Sequence, residues 1–305
     1  MGTQMNLIGR NREIEELDRC LKSDQSEFVV VYGRRRVGKT FLVEEFFNRQ
    51  YDFSFVGGHN LPVKKQLRNF AKAIKHYAHL VEQPKFTDWS EAFDSLTEWI
   101  ESQPSEHKKI IFFDEMPWID TMKSDFVDAL ENFWNSWAVL RNDVKLIVCG
   151  SATSWMINNL IRSRGGLHNR LTHHLILEPF SLAECEEYFR TFGFPYTRKQ
   201  MIECYMVMGG IPFYMSMLDK SMSLVQNIDR LFFAKNAPLK DEFDDLYRAL
   251  FKNALPHIEV VTALATKGKG LTRQEILSQT KLADNGMFSV VLEELEHCGF
   301  IRQYE

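Results

Sequence analysis

Phe28-Val29-Val30-Val31-Tyr32-Gly33-Arg34-Arg35-Arg36-Val37-Gly38-Lys39-Thr40 is the stretch on which the fold turns. Its first five residues are apolar without a break and mostly β-branched, the pattern of a strand buried on both faces. The next eight fit G-x-x-x-x-G-K-[ST], and apolar residues at helical spacing follow over 40–47. Strand, glycine loop and helix in that order make a phosphate-binding loop. The glycines let backbone N–H groups turn inward on phosphate oxygens, and the helix that starts near Lys39 adds its positive end. Lys39 is placed to reach the β- and γ-phosphates, and the Thr40 hydroxyl to bind Mg2+. Gly33, Arg34, Arg35, Arg36, Val37, Gly38, Lys39 and Thr40, with Phe41 next in line, form the expected nucleotide-binding set. The three arginines read either as a partner patch or as a solvated loop, and the solvated reading is preferred.

A second acidic signal lies downstream. Ile110-Ile111-Phe112-Phe113-Asp114-Glu115 is an apolar strand that ends in two carboxylates. Acids at the carboxyl end of a buried parallel strand face the ligand crevice. Asp114 is expected to hold the magnesium shell through water, and Glu115 to polarise an attacking water as general base. Ser151, after the strand over 145–150, is either a sensor of the γ-phosphate or a helix cap. Further strands are expected over 51–56 and 174–177, and helices over 63–80, 88–100 and 125–140. Gly57-Gly58 reads as a turn rather than a ligand loop. Alternating strands and helices predict an α/β core with a parallel sheet covered on both faces.

After Pro179 the pattern turns helical, with helices expected over 181–189, 198–208 and 215–218. From about 251 it reads as three helices and a strand over 300–304. Thr272 with Glu275 makes a capping box for one of these helices. That order is most of a winged helix-turn-helix, and the sequence ends where the wing's return strand is expected, so the wing reads as incomplete. Residues 251–305 carry six lysines and arginines against seven carboxylates. The would-be recognition helix over 285–298 holds Glu293, Glu294 and Glu296 and no Lys or Arg. Phosphate contact needs cations, so protein contact is preferred to DNA binding.

Composition bounds the rest. The chain has 305 residues, 45% hydrophobic and 26% charged, with a net charge of −4. Nothing in that balance argues for bulk attraction to nucleic acid or an anionic membrane. Cys20, Cys149, Cys185, Cys204 and Cys298 are odd in number and widely spaced, which argues against a disulfide framework and fits a reducing cytoplasm. Neither a signal peptide nor an apolar run of about 20 residues is present, so no membrane span is expected. The pairs His76/His79 and His173/His174 have no third ligand at metal spacing.

Taken together, several strings resemble the archaeal-type AAA-like ATPases of the STAND superfamily of P-loop NTPases. They are Leu7-Ile8-Gly9-Arg10 with Arg12-Glu13, YGRRRVGKT over 32–40, FFDE over 112–115, CGSA over 149–152, LEPF over 177–180 and GGIPFY over 209–214. The resemblance implies a five-stranded sheet with the strand ending at Gly150 between the loop strand and the Asp114 strand. It implies an ATPase core over 1–178, a helical lid over 179–250 and a winged helix over 251–305. Ile8, Gly9 and Arg10 would lie against the adenine, and Pro212 would approach it from the lid. Arg170 would contact phosphate in cis or in trans, with Arg162 and Arg164 as competitors. The function so implied is a slow Mg-dependent ATPase that acts as a nucleotide-controlled switch on an unidentified protein partner or on itself. A DNA-binding regulator under nucleotide control is the alternative, and a scaffold held shut by ATP a third.

Overall fold

The computed structural model describes residues 7–104, 107–121, 124–151, 153–162, 166–167, 169–251 and 253–304. The chain divides into two compact units, 1–33 with 38–151 and 155–177, and 34–37 with 152–154 and 178–305. The first unit is an α/β layer structure. Its strands β1 (Glu27–Gly33), β2 (Phe53–Val56), β3 (Lys109–Asp114), β4 (Val144–Gly150) and β5 (His173–Leu177) form one sheet in the order β2-β3-β4-β1-β5. Every pairing is parallel. β4 thus lies between β1 and β3, as the family resemblance implied.

Burial follows from that order. β1, β3 and β4 are central and buried at every residue, which is why their sequences are nearly unbroken apolar runs. The edge strands alternate instead, and Val56 and Ile176 reach solvent. One face of the sheet carries a packed aromatic cluster. Phe53, Phe55 and Phe113 meet Phe70 of α3 (Val63–Tyr77) and Trp89 and Phe93 of α4 (Trp89–Glu101), together with Phe126 and Phe133 of α6 (Phe126–Ser136). Ring centroids lie 4.9 to 6.5 Å apart in tilted and edge-on pairs, the arrangement that aromatic quadrupoles favour. The leading strand ends bury two ammonium groups. Lys145 donates to the carbonyls of Ser23 and Gln25, and Lys109 to that of Pro104.

Helices α1 (Asn11–Lys22) and α2 (Lys39–Phe46) flank β1, and the short α5 (Met116–Ile119) follows β3. The helix expected over 125–140 is broken. α6 ends at Ser136 and a separate 3-10 turn covers Ala138–Leu140, because Trp137 turns out of helical geometry at φ −135°. Its indole N–H donates to Glu101 at 2.7 Å, which competes with continuing the helix. α3 ends at Tyr77 rather than 80, since His79 takes a left-handed φ of 51°.

The second unit is helical. α7 (Leu182–Thr191), α8 (Arg198–Met208), α9 (Pro212–Ser216), α10 (Leu224–Ile228), α11 (Glu242–Leu250), α12 (Leu255–Ala265), α13 (Arg273–Gln279) and α14 (Gly286–His297) follow in turn. Sequence periodicity missed α1, α10 and α11. Complete capping boxes start α7, α8, α10 and α13, the last being the Thr272–Glu275 pair read from sequence. Ser181→Ala removes the side-chain acceptor at the start of α7. It is expected to cost about 1 kcal/mol, read as a fall of a few degrees in melting temperature. The strand expected over 300–304 is not formed. No strand lies beside it among the described residues. Instead the Phe300 ring packs on Tyr247 at 4.7 Å and Gln303 N–H donates to Glu296. Among the described residues no helix is long and apolar enough to cross a membrane.

The solvated reading of the loop arginines is overturned for Arg34 and Arg36. Arg36 is ion-paired with Glu242, and its guanidinium lies 4.4 Å from the Phe213 ring centroid. Arg34 lies 4.6 Å over Phe300. A guanidinium between an aromatic face and a carboxylate gains from both, which a solvated arginine does not.

Candidate functional site

Parallel strands end at one edge of a sheet, and the residues singled out in the sequence begin there. Gly33 closes β1 at φ 144°, in a conformation that a side chain rarely adopts. A Cβ on it would also fall 2.3 Å from the Leu177 carbonyl oxygen at the end of β5. Gly33 is therefore required twice over. Gly38, at φ 94° and ψ 27°, starts α2 with no side-chain cap, so the first amides of that helix have no capping side chain and remain available to an anion. Lys39 is nearly buried, and its ammonium group donates back to the Gly33 carbonyl at 3.1 Å. Val37 is buried, whereas Phe41 is 43% exposed.

Asp114, which ends β3, meets the first turn of α2, and Glu115 follows it. Asp114 Oδ2 accepts from the Thr40 hydroxyl at 2.7 Å, and Oδ1 from the Glu115 N–H at 2.8 Å. Glu115 Oε2 accepts from the Ser151 hydroxyl at 3.1 Å. Four of the residues named from sequence thus form two hydrogen-bonded pairs, Thr40–Asp114 and Glu115–Ser151. A hydroxyl and a carboxylate side by side are hard oxygen donors, few in number, which suits Mg2+ with most of its water shell retained.

Burial raises the Asp114 carboxyl above the usual carboxylate range, although hydrogen bonds from Thr40 and from the Glu115 N–H pull the other way. A raised folded-state value means that stability from this group is present at low pH and is lost as pH rises through that value. At neutral pH the buried charge is a burden on the folded protein without a cation. Asp114→Asn is therefore expected to raise the melting temperature of the ligand-free protein at pH 7, by about 1 kcal/mol of stability. In the same variant magnesium should no longer tighten nucleotide binding. Paired thermal and titration measurements check both.

The remaining expectations are placed as follows. Ile8 and Arg10 are nearly buried, and Gly9 between them has a left-handed φ of 64°, just ahead of α1. Pro212 lies in the second unit as the first residue of α9, where its missing N–H costs nothing. Arg164 lies outside the described residues. Arg170 is exposed and precedes β5. Because β5 runs parallel to β1 with Val29 beside His173 and Gly33 beside Leu177, Arg170 stands at the edge opposite the glycine loop. The strand alone spans on the order of 13 Å. That register favours a contact in trans over one in cis. Sequence reasoning left out Gly57, which adjoins the Glu115 carbonyl, and Gln66, which bonds Gly58 and Trp118 on either side of it. The available signal was a glutamine on the apolar stripe of α3, between Val63 and Leu67.

Comparison with known proteins bears on the family and the fold. The model of a family described as an ATPase domain predominantly from Archaea matches residues 7–218. An uncharacterized protein of Methanocaldococcus jannaschii is 25% identical over 261 residues, 85% of this chain and 54% of its own length. The chain thus spans about half of that relative. An uncharacterized ATP-binding protein of the same organism is 37% identical over 43 residues, 14% of this chain and 73% of its own length. Among solved structures, a Walker-type ATPase of Pyrococcus abyssi superposes with a TM-score of 0.69 at 18% identity, covering 98% of this chain and 92% of its own. The ORC2 protein of Aeropyrum pernix, solved in ADPNP–ADP complexes, gives 0.54 at 14% identity, covering 97% and 88%. At such identities the superpositions speak for the fold.

Proposed function

Since the chain belongs to this family of ATPase domains, we propose that it binds ATP with Mg2+ at residues 33–40 and hydrolyses it slowly, as a nucleotide-controlled switch. The observation that carries this reading is the meeting of Thr40, Asp114, Glu115 and Ser151 beside the glycine loop. Backbone amides of the loop and the Lys39 ammonium would neutralise the β- and γ-phosphates. Thr40 and Asp114 would hold Mg2+, which would supply positive charge to offset that of the phosphates. Glu115 would accept a proton from the attacking water, with the Ser151 hydroxyl fixing one of its oxygens.

Slow turnover is expected because Glu115 and Ser151 supply only part of a catalytic set. An arginine donated by a second copy would complete the charge stabilisation, which fits a switch gated by assembly. The switch reading is supported by Arg36, a loop residue paired with Glu242 of α11. Phosphate binding that draws on Arg36 would alter that pair and so bias residues 178–305.

The DNA-binding alternative has less support. The exposed residues of α14 include Met287, Val290, Glu293 and Glu296, and that helix contains no Lys or Arg. Phosphate release is the direct test. Mg-dependent release by the parent chain, lost in Glu115→Gln, supports the ATPase. Release at background in the parent sinks it. Unchanged hydrogen exchange across 178–305 with and without Mg-ATP would leave the ATPase and remove the switch.

A further inference from the structure

Gln66 is fully buried on α3, on the stripe that also carries Leu67, Phe70 and Ile74. A buried amide among apolar side chains demands partners. Gln66 finds them on the two loops that leave β2 and β3. Its Nε2 donates to the carbonyls of Gly58 and Trp118, both at 2.7 Å, and its Oε1 accepts from the Gly58 N–H at 3.0 Å. Two carbonyl partners determine which end of the amide is nitrogen.

The turn so held begins at Glu115, whose backbone is left-handed at φ 49° and ψ 42°. A non-glycine residue keeps that conformation only where its surroundings over-determine it. Here they do. The Gly57 N–H donates to the Asp114 carbonyl at 2.9 Å, and Trp118 N–H donates to the Glu115 carbonyl at 2.9 Å. A Cβ on Gly57 would lie 2.4 Å from the Glu115 carbonyl oxygen and 2.8 Å from Ile119. Next to the turn at the end of β4, a Cβ on Gly150 would lie 2.8 Å from Pro117. The turn therefore sits between Gly57, just past the end of β2, and Gly150, the last residue of β4, and Gln66 ties it to the segment after β2.

We propose that Gln66 is a positioning residue for Glu115, an amide clamp that holds the strained turn aiming its carboxylate. This rests on the assignment of Glu115 as general base. A carboxylate displaced by a fraction of an ångström still leaves the phosphate loop intact, so binding and turnover should separate. Gln66→Leu keeps nearly the same volume and removes all three hydrogen bonds. Gly57→Ala disturbs the turn from another side and covers the case in which the first variant folds poorly.

In both variants the Kd for a fluorescent ATP analogue is expected within about twofold of the parent, while kcat falls at least about tenfold. Placed in a Glu115→Gln background, Gln66→Leu should lower turnover no further. Hydrogen exchange followed by mass spectrometry should show faster uptake over 115–119 in Gln66→Leu, with β1 and β4 unchanged. Unaltered kcat in both variants overturns the proposal, as does an equal loss in the Glu115→Gln background. If Glu115→Gln itself turns over ATP as fast as the parent, the general-base assignment has failed. Exchange over 115–119 then decides the clamp alone, and parental protection in Gln66→Leu overturns it.

Discussion

Lys39→Ala is expected to abolish the thermal stabilisation that Mg-ATP should give the parent chain. A ligand at a hundredfold its Kd adds about 2.7 kcal/mol to the folded state, several degrees in melting temperature for a chain of this size. The loop amides alone cannot match this, because the triphosphate brings several negative charges to a site where Asp114 and Glu115 already lie close. One ammonium on a flexible stem can follow the phosphates as their charge shifts. Without nucleotide, the variant loses the hydrogen bond to the Gly33 carbonyl and a cation beside Asp114, so its own melting temperature is the baseline from which its ligand shift is read. Scanning calorimetry of both proteins, with and without Mg-ATP, separates the two terms. Equal ligand-induced shifts would end the assignment of residues 33–40 as the phosphate site.

Glu115→Gln is expected to lower turnover by a factor of about 10² to 10⁴, the span associated with a positioned general base, and to leave nucleotide affinity nearly unchanged. The substitution preserves shape. Ser151 can still donate to the amide oxygen in place of Oε2, and the left-handed backbone at position 115 asks nothing of the side chain. What is lost is the capacity to take a proton from water. Single-turnover phosphate release with nucleotide in saturating amount reads this step apart from binding. Equal rates in parent and variant would mean that Glu115 is no base, while the Lys39 result would stand.

These two outcomes depend on residues legible from spacing alone, and the geometry explains why. Gly33, Gly38, Lys39 and Thr40 act through backbone shape and through their place along one contiguous loop. Local sequence encodes both. Asp114 and Glu115 were legible because a strand buried on both faces must be apolar until it ends, which marks its last residues. The bearing of Arg170 was not legible. Its distance from the loop depends on the direction and register of β5 against β1, and no local pattern states these. Arg36 was misjudged for a related reason. An arginine in a glycine loop looks solvated until Glu242 and Phe213, far along the chain, are placed beside it.

Sequence by itself determined the alternation of buried strands and amphipathic helices, and with it a parallel sheet and the phosphate loop at its carboxyl edge. These follow from periodicity, glycine freedom and helix ends, all of which act over a few residues. Tertiary structure alone decided that Asp114 would meet Thr40, that Ser151 would meet Glu115, and that Gln66 would tie the Gly58 loop to the turn after β3. Each joins positions separated by 36 to 74 residues. Such contacts exist only after the sheet has brought its strand ends together, because the chain between them carries no record of the distance it will close.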